Sequence, residues 1–158
     1  MMIRPTCEED WHALKDVRLA ALLDAPEAFG VSHATASGYT EPQWRERAAG
    51  PHPRFWLAFL EGEAVGMIGG GVSARQRYNL IGMWLAPQVR GSGIAAQLVG
   101  AVKAEAVSQG YASVYLDVAP GNRRAVSFYE RQGFAFIDEW EPLASHPHIQ
   151  VQTMLWRA

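Results

Sequence analysis

Three things are scarce in this chain of 158 residues, and each scarcity excludes a class of protein. There is one cysteine, Cys7, which rules out an internal disulfide framework or a multi-cysteine zinc knuckle and points to a reducing compartment, the cytoplasm. Charge of one sign is lacking too: 14 Lys+Arg against 16 Asp+Glu leave a formal charge of -2, too weak a field to hold a polyanion, so no nucleic acid partner is expected. No run reaches the roughly eighteen apolar residues of a spanning helix, and Met1-Met2-Ile3-Arg4-Pro5 lacks the basic-then-apolar form of a secretory signal, so no membrane is expected either. The 15 glycines and 9 prolines punctuate the chain rather than cluster, leaving no linker, repeat or low-complexity tract. What is present, 49% hydrophobic and 11% aromatic residues, suits one globular domain over residues 1–158.

Periodicity supplies the elements. Thr6-Cys7-Glu8-Glu9 reads as a capping box before Trp11, Leu14, Val17, Arg18 and Ala21 at helical spacing, predicting a helix from Cys7 to Leu23. A polar, flexible stretch is expected up to Tyr39, and Thr40 with Gln43 caps a second helix that Gly50-Pro51 ends. Strand patterns follow at Phe55 to Leu60, Ala64 to Val72 and Tyr78 to Leu85, then a helix from Gly91 to Val107. Ser113 to Val118 reads as a buried strand, Asn122 to Arg131 as a helix, and Phe134 to Trp140 and Ile149 to Trp156 as closing strands. The alternation predicts the α/β (mixed α+β) class, with helices on the faces of a mixed sheet.

The most informative segment is Leu85-Ala86-Pro87-Gln88-Val89-Arg90-Gly91-Ser92-Gly93-Ile94-Ala95, where a strand feeds a glycine turn that opens into a long helix. The first N–H groups of such a helix have no intrahelical partner, and bare glycines admit close approach, so the turn suits a phosphate or pyrophosphate. Arg90 adds a charge beside it. Neither the P-loop pattern nor the dinucleotide G-x-G-x-x-G pattern is present.

Gln88-Val89-Arg90-Gly91-Ser92-Gly93 resembles the Q/R-x-x-G-x-G/A signature of the GNAT superfamily of acyl-CoA-dependent N-acetyltransferases. Asn122 to Phe134 is similar to that superfamily's N-x-x-A-x-x-F/L-Y-x-x-x-G-F segment. The resemblance implies a central twisted mixed sheet of six or seven strands with about four helices. It implies acetyl-CoA as co-substrate, lying where Tyr78 to Leu85 and Ser113 to Val118 splay apart. Met83, Trp84 and Leu85 would then pair with the pantetheine arm, and amides from Val89 to Ala95 (Val89, Arg90, Gly91, Ser92, Gly93, Ile94, Ala95) would take the pyrophosphate, after Gln88. Asn122 would contact the cofactor arm, with Ala125 and Phe128 packed beside it, and Arg131 or one of Arg123 and Arg124 would meet the 3'-phosphate.

Acyl transfer from a thioester to an amine needs a neutral amine, a stabilised oxyanion and a proton for the departing thiolate. Tyr129 matches the superfamily tyrosine that protonates the thiolate, and a backbone N–H near Met83 to Leu85 would face the oxyanion. Many relatives carry a glutamate on the strand before the glycine loop. Asn79-Leu80-Ile81-Gly82-Met83-Trp84 has none, leaving Asp117 or water as the base. Phe29 and Trp44 are expected in the acceptor pocket, and Gly30 to Tyr39 is expected to order over it. His146-Pro147-His148 reads as a solvated loop, and no metal is expected. The acceptor implied is a primary amine, of a small molecule or of a peptide, and a homodimer is compatible. A CoA-binding sensor without turnover, or O-acyl transfer, are the alternatives.

Overall fold

In the computed structural model, which describes residues 1–158, the order is β1 (Met2–Pro5), α1 (Trp11–Asp24), α2 (His33–Ser37), α3 (Glu41–Ala49), β2 (Arg54–Leu60), β3 (Glu63–Val72) and β4 (Tyr78–Leu85). Then come α4 (Ile94–Ser108), β5 (Ser113–Val118), α5 (Arg123–Arg131), β6 (Ala135–Leu143) and β7 (His146–Arg157). The strands form one seven-stranded sheet in the order β1-β2-β3-β4-β5-β7-β6, in which β4 and β5 are the only parallel neighbours. This is the expected mixed α/β architecture, with five α-helices where about four are expected. No helix is long and apolar enough to cross a membrane.

Both faces of the sheet are covered. Ile94, Leu98, Val99, Val102 and Ala106 recur at helical spacing on α4 and pack against Ile68, Leu80, Val114 and Leu116 on one face. On the other, Leu14 and Val17 of α1 and Ala48 of α3 pack on Leu57 and Met67. β3 is glycine-rich because its neighbours lean across it: a Cβ on Gly70 would sit 2.7 Å from the Tyr78 hydroxyl, and one on Gly66 2.5 Å from a Leu85 methyl.

Three expectations are corrected. The first helix starts at Trp11, after a 3-10 turn over Glu8–Asp10, because the capping contact sits one residue later than Thr6 predicts. Asp10 accepts the Cys7 N–H at 2.9 Å and two bonds from Arg4, while Thr6 donates its hydroxyl to the Ala48 carbonyl at 2.7 Å. The stretch from Gly30 to Tyr39 is not irregular throughout: Ser32 accepts the Thr35 N–H at 3.1 Å and starts α2, whose Ala36 is buried with Leu22, Phe29 and Trp44. Finally, β6 and β7 extend to a tight connection at Ala144-Ser145, so His146-Pro147-His148 begins a strand instead of forming a loop. Ser145 anchors that turn by donating to the Phe29 carbonyl.

Candidate active site

The site begins with a break in the sheet. β4 and β5 share a single register position, Asn79 with Tyr115. Beside it, Gly69 pairs Ile81 but Met67 pairs Trp84, so three steps along β4 face two along β3. The extra residue is a bulge at Gly82, whose φ of +59° is a left-handed conformation suited to glycine. A bulge bends its strand, and the β5-facing backbone of Met83, Trp84 and Leu85 is thereby left outside the ladder, along the wall of a cleft of about 2240 Å³. Sequence reading locates this cleft but misses the bulge, for which a glycine inside a strand pattern was the available signal.

At one end of the cleft lies the glycine turn. Gly91 and Gly93 have φ of +80° and +87°, and a Cβ on either would meet nothing within 4 Å, so both serve conformation and approach rather than packing. From Gly91 to Ala96 no N–H reaches a backbone acceptor, and Gln97, bonded to the Gly93 carbonyl at 3.3 Å, is the first to do so. These six consecutive donors sit at the positive end of α4. The expected run is shortened at its start, since the Val89 and Arg90 amides already donate to the Ala86 and Pro87 carbonyls. The side chains of Val89 and Ile94 are buried in the core, Gln88 is exposed outside the cleft lining, and the Ser92 hydroxyl closes the turn onto the Val89 carbonyl. Arg90 donates to the Leu85 carbonyl at 3.2 Å and to Asp24 at 2.7 Å, so its charge is partly neutralised and it holds the loop to the end of α1.

Tyr129 comes from α5. Its hydroxyl lies 3.9 Å from the Met83 sulfur, and its ring packs edge-on to Phe128 and Phe134. Burial pushes the phenol above its ordinary value of 10, so it keeps its proton throughout the neutral range. Asn122, expected as a cofactor contact, lines the cleft, and its side-chain oxygen also caps α5 at the Ala125 N–H, 3.4 Å away. Ala125, Phe128, Tyr129 and Arg131 line the same cleft as Met83, Trp84 and Leu85, and Arg124 joins them, whereas Arg123 does not.

On the sheet face covered by α1, Tyr115 and Asp117 of β5 alternate with the buried Val114, Leu116 and Val118. Asp117 lines the cleft and accepts the Thr153 hydroxyl at 2.6 Å. Its neighbour Glu141 has a raised pKa, through a hydrogen bond with Asp117 first and burial second. Phe29 also lines the cleft, with the Arg18 guanidinium 5.1 Å from its ring centre. Trp44 does not: it is 1% exposed, packed with Ala21, Leu22 and Ala36, and borders only a smaller cavity behind α1. The residue that takes its place at the cleft is Arg18, whose sequence signal was an arginine set in an apolar register between Val17 and Ala21.

Residues 18–134 match the profile of the acetyltransferase (GNAT) family, including both the glycine turn and the Tyr129 helix. The chain belongs to the GNAT family. It is 29% identical over 109 residues to the uncharacterized N-acetyltransferase YjgM of Escherichia coli K12, covering 66% of this chain and 64% of that protein, and so spans less than two thirds of that relative. Among solved structures, a GNAT-family acetyltransferase from Streptococcus pneumoniae superposes with a TM-score of 0.80 at 18% identity, over 99% of this chain and 98% of that one. A Bacillus anthracis acetyltransferase in complex with acetyl coenzyme A gives 0.63 at 16% identity, over 71% and 66%. At these identities the structural likeness establishes a shared fold. Within this GNAT chain, β4 carries no carboxylate from Tyr78 to Leu85, and the strand carboxylates that line the cleft are Asp117 of β5 with Glu139 and Glu141 of β6.

Proposed function

We propose that this protein moves an acetyl group from acetyl-CoA directly to a primary amine of a small molecule. The observation that carries the reading is the juxtaposition, along one cleft, of six unpaired amides at Gly91–Ala96, a strand wall freed from its ladder at Met83–Leu85, and the protonated Tyr129. The donor set fits a pyrophosphate followed by an extended amide-bearing arm: N–H groups at a helix start bind the anion, and an open strand edge pairs with the arm as an added strand. Acetyl-CoA supplies an acyl group activated as a thioester.

The β5-facing N–H in Met83–Leu85 stabilises negative charge developing on the acyl oxygen, in a place where burial strengthens such bonds. Tyr129 holds a proton beside Met83 and donates it to the departing sulfur. The amine proton leaves through water on the side of the cleft lined by Asp117. Direct transfer between two bound molecules needs the holding of both in register, which a rigid sheet provides.

Titration calorimetry with acetyl-CoA, followed by thiol release against a panel of amines, tests the reading. Binding with release supports the transferase. Binding without release on any amine replaces it with a CoA-binding module, and absence of binding overturns the cofactor assignment.

A further inference from the structure

Arg18 is a cation without a counter-ion. It projects from α1, between helical positions that pack in the core, and its Nη1 is enclosed without a hydrogen-bond acceptor. It takes part in none of the molecule's ion pairs. Burial, foremost, lowers its pKa, and the ionisable groups that act on it, Tyr39 and Arg47, include no carboxylate. A guanidinium with an enclosed nitrogen that lacks an acceptor is a costly feature, and such features concentrate where a ligand completes them.

Its position is specific. A Cβ placed on Gly82 would lie 3.2 Å from Nη1, so the guanidinium faces the bulge one residue before Met83, and the missing side chain at Gly82 keeps that approach open. Arg18 lines both the large cleft and an adjoining cavity of about 490 Å³ bounded by Tyr39, Trp44, Arg47 and His52. The Trp44 indole N–H, on that same boundary, is a second enclosed donor without an acceptor. Glu46 is the carboxylate on the boundary, and it is exposed on α3. The pocket therefore offers donors and positive charge and lacks a buried carboxylate.

We propose that Arg18 receives a carboxylate of the acceptor, so that the amine acetylated is that of an amino acid or a similar short amino-carboxylate. This deepens the acetyltransferase reading and rests on it for the position of the amine. One half-buried cation balances a monoanion, and a guanidinium pairs a planar carboxylate through parallel N–H bonds. Gly82 and Met83 are one Cα step apart, about 3.8 Å, so a short amino-carboxylate held at Arg18 presents its nitrogen at the wall where the acyl group lies.

The test separates the pocket from the chemistry. Calorimetry in the presence of CoA uses N-acetyl-amino acids, as product mimics, and their matched carboxamides. Thiol release with acetyl-CoA uses the parent amino acids, their amides, and simple polyamines. The expected result is that at least one free acid binds about tenfold or more tighter than its amide. That preference disappears in Arg18→Gln, is partly kept in Arg18→Lys, and shows in turnover as a raised KM with little change in kcat. Arg18→Met is expected to melt no lower than the parent, because it removes an unpaired buried charge, which tells a ligand role from a structural one. Equal binding of acids and amides, no binding of any acid, or an unchanged preference in Arg18→Gln would overturn the assignment. Carboxylate-selective binding with no thiol release would overturn the transferase reading and leave Arg18 as an anion site. Release from neutral or cationic amines without discrimination would do the reverse.

Discussion

One carboxylate oxygen of Asp24, the last residue of α1, accepts both the Arg90 guanidinium at 2.7 Å and the Trp84 indole N–H at 3.0 Å. Asp24 thereby joins three parts of the site: the helix that carries Arg18, the wall of the cleft and the glycine turn. Both bonds hold its pKa below the ordinary value, the one from Trp84 contributing most. The pair is about a third exposed on each side, so its weight in global stability is small. Asp24→Ala is expected to cost under about 1 kcal/mol in urea unfolding, yet to weaken acetyl-CoA binding roughly fivefold because the turn loses its fixed position. Unchanged affinity by calorimetry would show that Arg90 does not set the geometry of the turn.

Tyr129 makes the complementary case. Its hydroxyl has one hydrogen-bond partner, the Met83 sulfur, so Tyr129→Phe removes a proton donor while leaving ring packing intact. The expected outcome is a fall in kcat of about 10²-fold or more with acetyl-CoA affinity and melting temperature nearly unchanged. A full rate in the variant would mean that the thiolate takes its proton from water.

Glycines in the same sheet region should separate function from stability. Gly91→Ala and Gly93→Ala put a side chain at positive φ, at a strain of about 1–2 kcal/mol, on the surface offered to the phosphate. Both are expected to weaken acetyl-CoA about tenfold or more. Gly70→Ala instead drives a methyl into the buried Tyr78 ring, and is expected to lower stability by about 1–3 kcal/mol in denaturant unfolding with affinity preserved in the folded fraction. Equal effects from the two kinds of substitution would show that the turn is structural only.

Acid should act through Asp10. Its hydrogen bonds from Arg4, foremost, hold its pKa at about 2, against 3.8 for the unperturbed side chain, and it is 12% exposed. A carboxylate with a depressed folded pKa stabilises above the unfolded value and loses that stabilisation as the pH falls through the folded one. Asp10 therefore contributes about 2 kcal/mol above pH ~4 that fades toward pH ~2. Asp10→Asn is expected to flatten that part of the pH–stability curve, measured by urea midpoints between pH 5 and 2 as a range of about three units. An unaltered slope would assign acid lability to other carboxylates.

Most of the elements, and the glycine turn that opens α4, were legible in the residues alone. Apolar spacing on α4 specifies a helix wherever it packs, and Gly91 and Gly93 specify a turn that few other residues can make, because both signals are local. The helix that carries Tyr129, with its start at Asn122, was likewise readable from a short segment. Other features depended on partners far along the chain. The start of α1 moved because Arg4 and Ala48 drew on Asp10 and Thr6; His146-Pro147-His148 became strand because β6 lay beside it; Trp44, an aromatic on a helix, went to the core because α2 closed over it. Arg18 shows the limit most plainly. Its helical spacing placed it among core residues, but whether a carboxylate, water or a ligand would meet its charge was decided only when the Gly82 bulge, Phe29 and the pocket behind α1 came together, since an ion's partner is a matter of distance in space and not of order in sequence.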